Sequence, residues 1–166
     1  PFYQKRGQIP EKRHIQFKDA SGNLYWEELV SRKGFSHMYS NIYHVNPPTA
    51  ITKIGTPIKN KIQLVSKLHK HYHLKTESIN SQGDAISSRV PLFLNEDIKV
   101  SKCHIDTSMK NLFKNAYADE ILFINSGEGI LRSNFGFLNL SFGDYVVIPR
   151  GIIWQLEITN SMKVVI

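Results

Sequence analysis

The chain has 166 residues, room for one domain with a core of its own. Its apolar content of 41% is ordinary for a globular protein, and no apolar run is long enough to span a membrane. A net charge of +7 favours anionic partners without choosing among them.

Turn formers and aromatics with few clean periods predict an irregular arm over residues 1–50, ahead of a β domain over 51–166. PFYQKRGQIPEKRH lacks the apolar segment of a secretory signal, and the lone cysteine, Cys103, fits a reducing compartment. A cytoplasmic location is expected. Cys103 itself reads as a buried structural thiol. Pro1 has the chemistry of a tautomerase base, but the short βαβ layout of those enzymes is missing, and loss of an initiator Met accounts for it. GNLYWEELV, residues 22–30, reads as a strand or short helix with Glu27 and Glu28 facing solvent. Tyr25, Trp26 and Trp154 read as core or interface aromatics. Tyr43 and His44 precede Pro47-Pro48, a pair that forbids regular helix, and are expected to fix the arm there.

Between Glu28 and Glu77 no carboxylate occurs. That window carries Arg32, Lys33, Lys53, Lys59, Lys61, Lys67, Lys70 and Lys75, with five of the seven histidines. It reads as a solvated basic face or as a surface that draws in an anion. Within it, KIQLVSKLHKHYHLKT predicts a strand or strand pair that sets His69, His71 and His73 on one face. These three are the chain's candidates for a metal site. Positions i and i+4 of a strand lie about 13 Å apart, so at most two imidazoles reach one ion. A further ligand, such as His104 or Glu77, would be needed. A polar strand face and a subunit contact are the other readings. TESINSQGDAISSRVP follows as a polar loop whose Ser and Gly content marks it as mobile.

The C-terminal third alternates short apolar runs with turn signals. EILFIN and GILRS flank SGEG as a hairpin signature, NFG separates GILRS from FLNL, and FGD leads into YVVIP. Strands of this length and spacing predict an all-β sandwich or barrel. With no Gly-rich phosphate loop and no recognisable RNA or DNA module, neither a nucleic acid nor a membrane is an expected partner.

Glu120, six residues and Gly127 resemble the second half of the first cupin motif. Gly143, five residues and Pro149-Arg150-Gly151 resemble the second. Gly127 and Gly143 suit tight turns, and Pro149 stiffens a strand end before the Gly151 turn. The resemblance implies a double-stranded β-helix, the cupin jelly roll. Metal-binding cupins carry His-x-His shortly before that Glu and a further His after the last Gly of the second motif. Those places hold Phe113 and Asn115, or Lys114 and Ala116, and then Trp154. No metal is therefore expected there.

Longer segments extend the likeness. PFYQKRGQIPEKRHIQF, LYWEELVSRKGFSHMYSNIYHVNPPTAITKIG, LFLNEDIKVS and NAYADEILFINSGEGILRSNFGFLNLSFGDYVVIPRG resemble, in order, the N-terminal part of bacterial homogentisate 1,2-dioxygenases. Members of that family are longer bicupins. The resemblance implies that their iron-binding His, Glu and His, and their catalytic base, belong to a second cupin outside this chain. The whole enzyme would use Fe(II) and O₂ to open the homogentisate ring to maleylacetoacetate in tyrosine and phenylalanine breakdown, as a homo-oligomer. This chain would be its N-terminal, non-catalytic part, with no catalytic, cofactor-binding or metal-binding residue carried over. The alternative is a stand-alone metal-free cupin that binds an anionic ligand or a protein partner.

Overall fold

The computed structural model describes residues 17–57 and 71–166. The chain separates into two units, Pro1–Lys61 and Ile62–Ile166.

In the first unit, strand β1 (Trp26–Val30) pairs antiparallel with β2 (Ser40–His44), so GNLYWEELV resolves in favour of a strand. Trp26 stands opposite His44, and Glu27 opposite Tyr43. Cross-strand partners of this kind are the natural places for polar pairs. The Tyr43 hydroxyl donates to Glu27 Oε2 at 2.8 Å, and this bond, with burial and the carboxylate charge, pushes the phenol pKa up. Glu28 is not the solvent-facing carboxylate predicted. The diagonal neighbour His44 approaches it at 2.8 Å, and both side chains are only 15% exposed. Ahead of β1, Asp19 Oδ1 accepts from the N–H groups of Ser21 and Asn23 at 2.9 and 2.8 Å. Hydrogen bonds from Asn23, side chain first, hold its carboxyl below the ordinary range. Residues 51–57 form no regular element, against the β pattern expected from Ile51 onward.

The second unit carries nine strands among the described residues. They are β3 (Val90–Leu94), β4 (Lys99–Ile105), β5 (Phe113–Lys114), β6 (Glu120–Ser126), β7 (Gly129–Ser133), β8 (Gly136–Leu140), β9 (Tyr145–Ile148), β10 (Ile153–Ile158) and β11 (Met162–Val165). Two antiparallel sheets result, one ordered β3-β4-β11-β6-β9 and the other β5-β10-β7-β8. From β4 to β11 the chain alternates between the sheets, apart from the β7–β8 hairpin. That winding is a jelly roll, the double-stranded β-helix.

Period-two alternation supplies the core. Cys103 and Ile105 of β4, Leu122 and Ile124 of β6, and Met162 and Val164 of β11 are buried from one sheet. Leu131 of β7, Leu140 of β8, and Trp154 and Leu156 of β10 are buried from the other. Fully burying one such aliphatic side chain is worth about 1.5–3 kcal/mol. The segment before β5 lengthens the second sheet: Met109 N–H donates to Leu156 O at 3.0 Å, and Ile158 N–H to Ser108 Oγ at 3.0 Å.

One connection departs from its sequence reading. EILFIN and GILRS are not hairpin partners: β6 pairs with β9 and β11, while β7 pairs with β8 and β10. Gly127, at φ +88°, turns the chain out of one sheet and into the other. The Glu128 carbonyl accepts from Thr159 N–H at 2.8 Å, and Glu128 N–H donates to Asn160 Oδ1 at 2.8 Å. The short turn therefore grips the β10–β11 corner instead of closing a hairpin. The NFG and FGD turns fall as expected, at β7–β8 and β8–β9.

These turns differ in what a side chain would meet. At Gly127 a Cβ would fall against Ser161 O and within 2.7 Å of Met162 Cα, whereas Gly143, at φ +91°, faces open space. Gly143→Ala is expected to cost about 1–2 kcal/mol, the left-handed backbone penalty alone. Gly127→Ala should cost at least about 3 kcal/mol, because overpacking adds to that penalty. Urea unfolding midpoints of the two variants check the order, and equal losses would refute it.

Candidate functional site

The cupin motif positions converge at one end of the barrel interior. Phe113 and Trp154 are cross-strand partners on β5 and β10, with ring centroids 5.7 Å apart in an edge-to-face arrangement. Asn115 follows β5, and its Nδ2 donates to Glu120 Oε1 at 3.1 Å. Of the two alignments left open by the sequence, Phe113 and Asn115 are thus the pair that meets Glu120 and Trp154. The two motif loops are also tied directly. Gly151 N–H donates to Asn115 O at 2.7 Å, and Arg150 N–H to Asp119 Oδ1 at 2.9 Å. Asn115 Oδ1 accepts from Tyr117 and Ala118 N–H at 2.9 and 3.1 Å, which fixes the amide plane so that its nitrogen faces Glu120.

Glu120 opens β6, is 6% exposed and is paired there. Arg89 Nη1 donates to Oε1 at 2.5 Å and Nη2 to Oε2 at 3.2 Å, a two-pronged pair. Arg89 Cζ lies 5.6 Å from the Phe113 ring centroid, within cation–π range. Its Nε donates to Ala85 O at 2.9 Å. Nothing local in the sequence marks this arginine, which sits 31 residues from its partner.

A capped turn delivers Arg89. Asp84 Oδ1 accepts from the N–H groups of Ile86 and Ser87 at 3.0 and 2.8 Å and from Ser87 Oγ at 2.8 Å. Ser88 Oγ donates to Asp84 O at 2.7 Å. Residues 83–89, within the segment expected as a mobile loop, form a hydrogen-bonded turn. Gly83 N–H donates to Asp106 Oδ1 at 2.8 Å, and its missing Cβ leaves room for Ser87 Oγ. The pattern Asp84-x-x-Ser87 is a signal in the sequence, since an Asp side-chain oxygen that accepts from the N–H groups two and three residues on fixes a turn. Partial burial pushes the Asp84 carboxyl up, but the Ser87 and Ile86 hydrogen bonds and the Arg89 charge hold it below its ordinary 3.8.

Cys103 lies buried on β4, and burial pushes its thiol up to about 11. A Ser88 hydrogen bond and the Arg89 charge act the other way without reversing the shift. This agrees with the structural reading of Cys103.

The residues at the metal position do not fit a divalent ion. Phenyl, amide and indole groups replace three imidazoles, and both oxygens of the remaining carboxylate are taken by Arg89. The histidine cluster fares differently. His69 lies outside the described residues, as does Pro1. His71 and His73 are exposed in a stretch, 71–75, without strand structure, so the predicted strand face is not formed there. Tyr72 and Leu74 between them are also exposed, at 55% and 43%, so the alternation has no buried side to hold it as a strand. His104 is on β4 opposite Lys163, and Glu77 makes a 3.4 Å ion pair with Lys163. Among the described residues no group of three or more His, Cys, Asp or Glu is placed to hold a metal. No helix among them is long and apolar enough to cross a membrane.

Two outcomes are expected. Because the Asp84 carboxyl titrates lower folded than unfolded, its contribution is present above about pH 3.8 and is lost as pH falls through the folded value. Asp84→Ala should cost about 1 kcal/mol at neutral pH, with the gap to wild type narrowing below pH 3.8. Urea titrations at neutral and acid pH measure this, and a gap that persists in acid would show that the charge is not needed. Cys103 should resist iodoacetamide in the folded chain at about pH 8 and label promptly in guanidinium chloride. Fast labelling of the native chain would contradict its burial.

No family model matches the chain. The chain is 36% identical over 168 aligned residues to a protein of Saccharolobus solfataricus named "Putative dioxygenase". The alignment takes in 99% of this chain and 43% of that protein, so the chain spans less than half the length of that curated relative. Among solved structures, KdgF from Halomonas sp. is 16% identical with a TM-score of 0.48, over 58% of this chain and 90% of that one. A cupin protein from Bacteroides fragilis is 18% identical with a TM-score of 0.45, over 61% and 82%. A cupin-2 domain protein from Shewanella frigidimarina is 17% identical with a TM-score of 0.43, over 47% and 76%. The strand order itself, with the two motifs meeting inside one barrel, makes this a cupin-fold chain, similar along nearly all its length to part of a protein named as a dioxygenase.

Proposed function

We propose that this chain is the N-terminal, metal-free cupin of a homogentisate 1,2-dioxygenase-like enzyme. The single observation that carries the reading is the 36% identity along 99% of the chain to a protein named as a dioxygenase, of which it matches 43%. The segments that resemble homogentisate dioxygenases, in the same order along the sequence, support that hydroquinone acid as the substrate. In the full enzyme, Fe(II) held by two histidines and a carboxylate of a second cupin supplies the O₂ chemistry. This chain's own part is scaffolding. Its sheets shape and oligomerise the catalytic half, and the engaged Glu120 offers no competing ligand.

A second reading, a stand-alone module for an anionic ligand or a protein partner, draws on the carboxylate-free basic window between Glu28 and Glu77. The partly buried Arg89 guanidinium does not favour it, because Glu120 already neutralises that charge.

The test is oxygen uptake with homogentisate after anaerobic loading with Fe(II). The 166-residue chain is expected to match the Fe(II) blank, while a longer protein that adds a second cupin turns over. Turnover by the chain alone, lost in His71→Ala, would sink the proposal and revive the histidine cluster. Saturable homogentisate binding by the chain, with a longer protein that does not turn over, would favour the second reading.

A further inference from the structure

A carboxylate as enclosed as Glu120 needs a counter-charge, since an unpaired buried ion is among the costliest arrangements a core can hold. In metal-binding members of this fold the counter-charge at this place is a divalent ion. Here the other three motif positions offer Phe113, Asn115 and Trp154, and the positive group arrives from outside the motifs on the Asp84 turn. We propose that the Arg89 guanidinium is the resident cation of this barrel, taking up the carboxylate that the fold would otherwise give to a metal.

Three independent features support the assignment. The guanidinium meets both oxygens of Glu120, which uses its planar fork in a way an ammonium could not. Its remaining surroundings suit it as well: Ala85 O accepts from Nε, and the Phe113 ring lies at cation–π distance. The turn behind it is built for one placement, with Asp84, Ser87 and Ser88 bonded to one another and Gly83 anchored to Asp106. Asn115, at a place where metal-binding cupins carry an imidazole, also donates to Glu120 Oε1. The interior is therefore closed to metal by occupation as well as by ligand loss. This holds for the barrel whether or not the whole protein acts on homogentisate.

The experiment compares wild type, Arg89→Met, Glu120→Gln and the double variant by thermal unfolding, and titrates wild type with Zn(II) and with Fe(II) under nitrogen. Each single change should lower the Tm by roughly 10 °C, because Arg89→Met strands a buried carboxylate and Glu120→Gln a partly buried guanidinium. The double variant, which strands none, should lose less than either. Methylguanidinium chloride should raise the Tm of Arg89→Ala saturably and leave wild type and Arg89→Ala/Glu120→Gln unmoved. Wild type should take up no stoichiometric metal at Glu120. A double variant worse than both singles would overturn the proposal, as would one equivalent of wild-type-bound metal lost in Glu120→Gln. Should Arg89→Met fail to fold while the double variant folds, that rescue itself supports the pair. Should both fail, the wild-type metal titration decides.

Discussion

The arrangement of the barrel interior follows from one ion pair, between the buried Glu120 and the partly buried Arg89. Glu120 opens β6 with its carboxylate directed inward, and that choice demands a cation within reach. Everything nearby serves the demand. The Asp84 turn brings Arg89 in, Asn115 orients one oxygen, and Phe113 lies against the guanidinium face. A pair of this kind adds little net stability over a well-packed apolar substitute, but removing one member leaves the other exposed to its full desolvation cost. Its effect is selectivity of arrangement: the segment before β3, the loop after β5 and the start of β6 have one mutual placement in which no charge is stranded.

Both cupin motifs contribute to that placement even though they no longer form a ligand set. The backbone bonds from Gly151 to Asn115 and from Arg150 to Asp119 lock the two loops together. Turn glycines and loop contacts answer to the geometry of the winding, whereas side chains that point into the barrel answer to whatever occupies it. The fold can therefore keep the first while exchanging the second. In this chain an aromatic pair and an amide stand at the motif positions, and a tethered guanidinium meets the carboxylate.

Much of this was legible in the sequence, and the failures have definite causes. Gly127, Gly143 and Pro149-Arg150-Gly151 announced the winding because tight turns leave local marks. The period-two strands of the C-terminal third followed from their buried faces. The β6–β7 connection was misread because alternation and a Gly-rich turn look alike whether the next strand pairs with the last or crosses to the facing sheet. Only the grip of Glu128 on Thr159 and Asn160 distinguishes them, and that partner is distant in sequence. His71 and His73 kept the period of a strand without a buried side to make it one. Arg89 was hidden in a polar segment read as loop, since nothing local to it specifies Glu120. The solvent-facing assignment of Glu28 failed for the same reason: its partner His44 lies on the next strand.

The place of β11 carries a consequence for how this barrel comes together. Though it is the last strand in sequence, it lies in the middle of the five-stranded sheet, bonded to β4 on one side and β6 on the other. Ile166 extends the ladder by exchanging backbone bonds with Ser101 at 2.7 and 2.9 Å. Until that strand arrives, β4 and β6, paired on their other sides with β3 and β9, each present one open edge toward the place of β11. Such long-range closure makes for slow folding, and open edges are the features that invite association between chains. During synthesis the half-built barrel is therefore a vulnerable species, and insertion of residues 162–165 is the step that closes the gap.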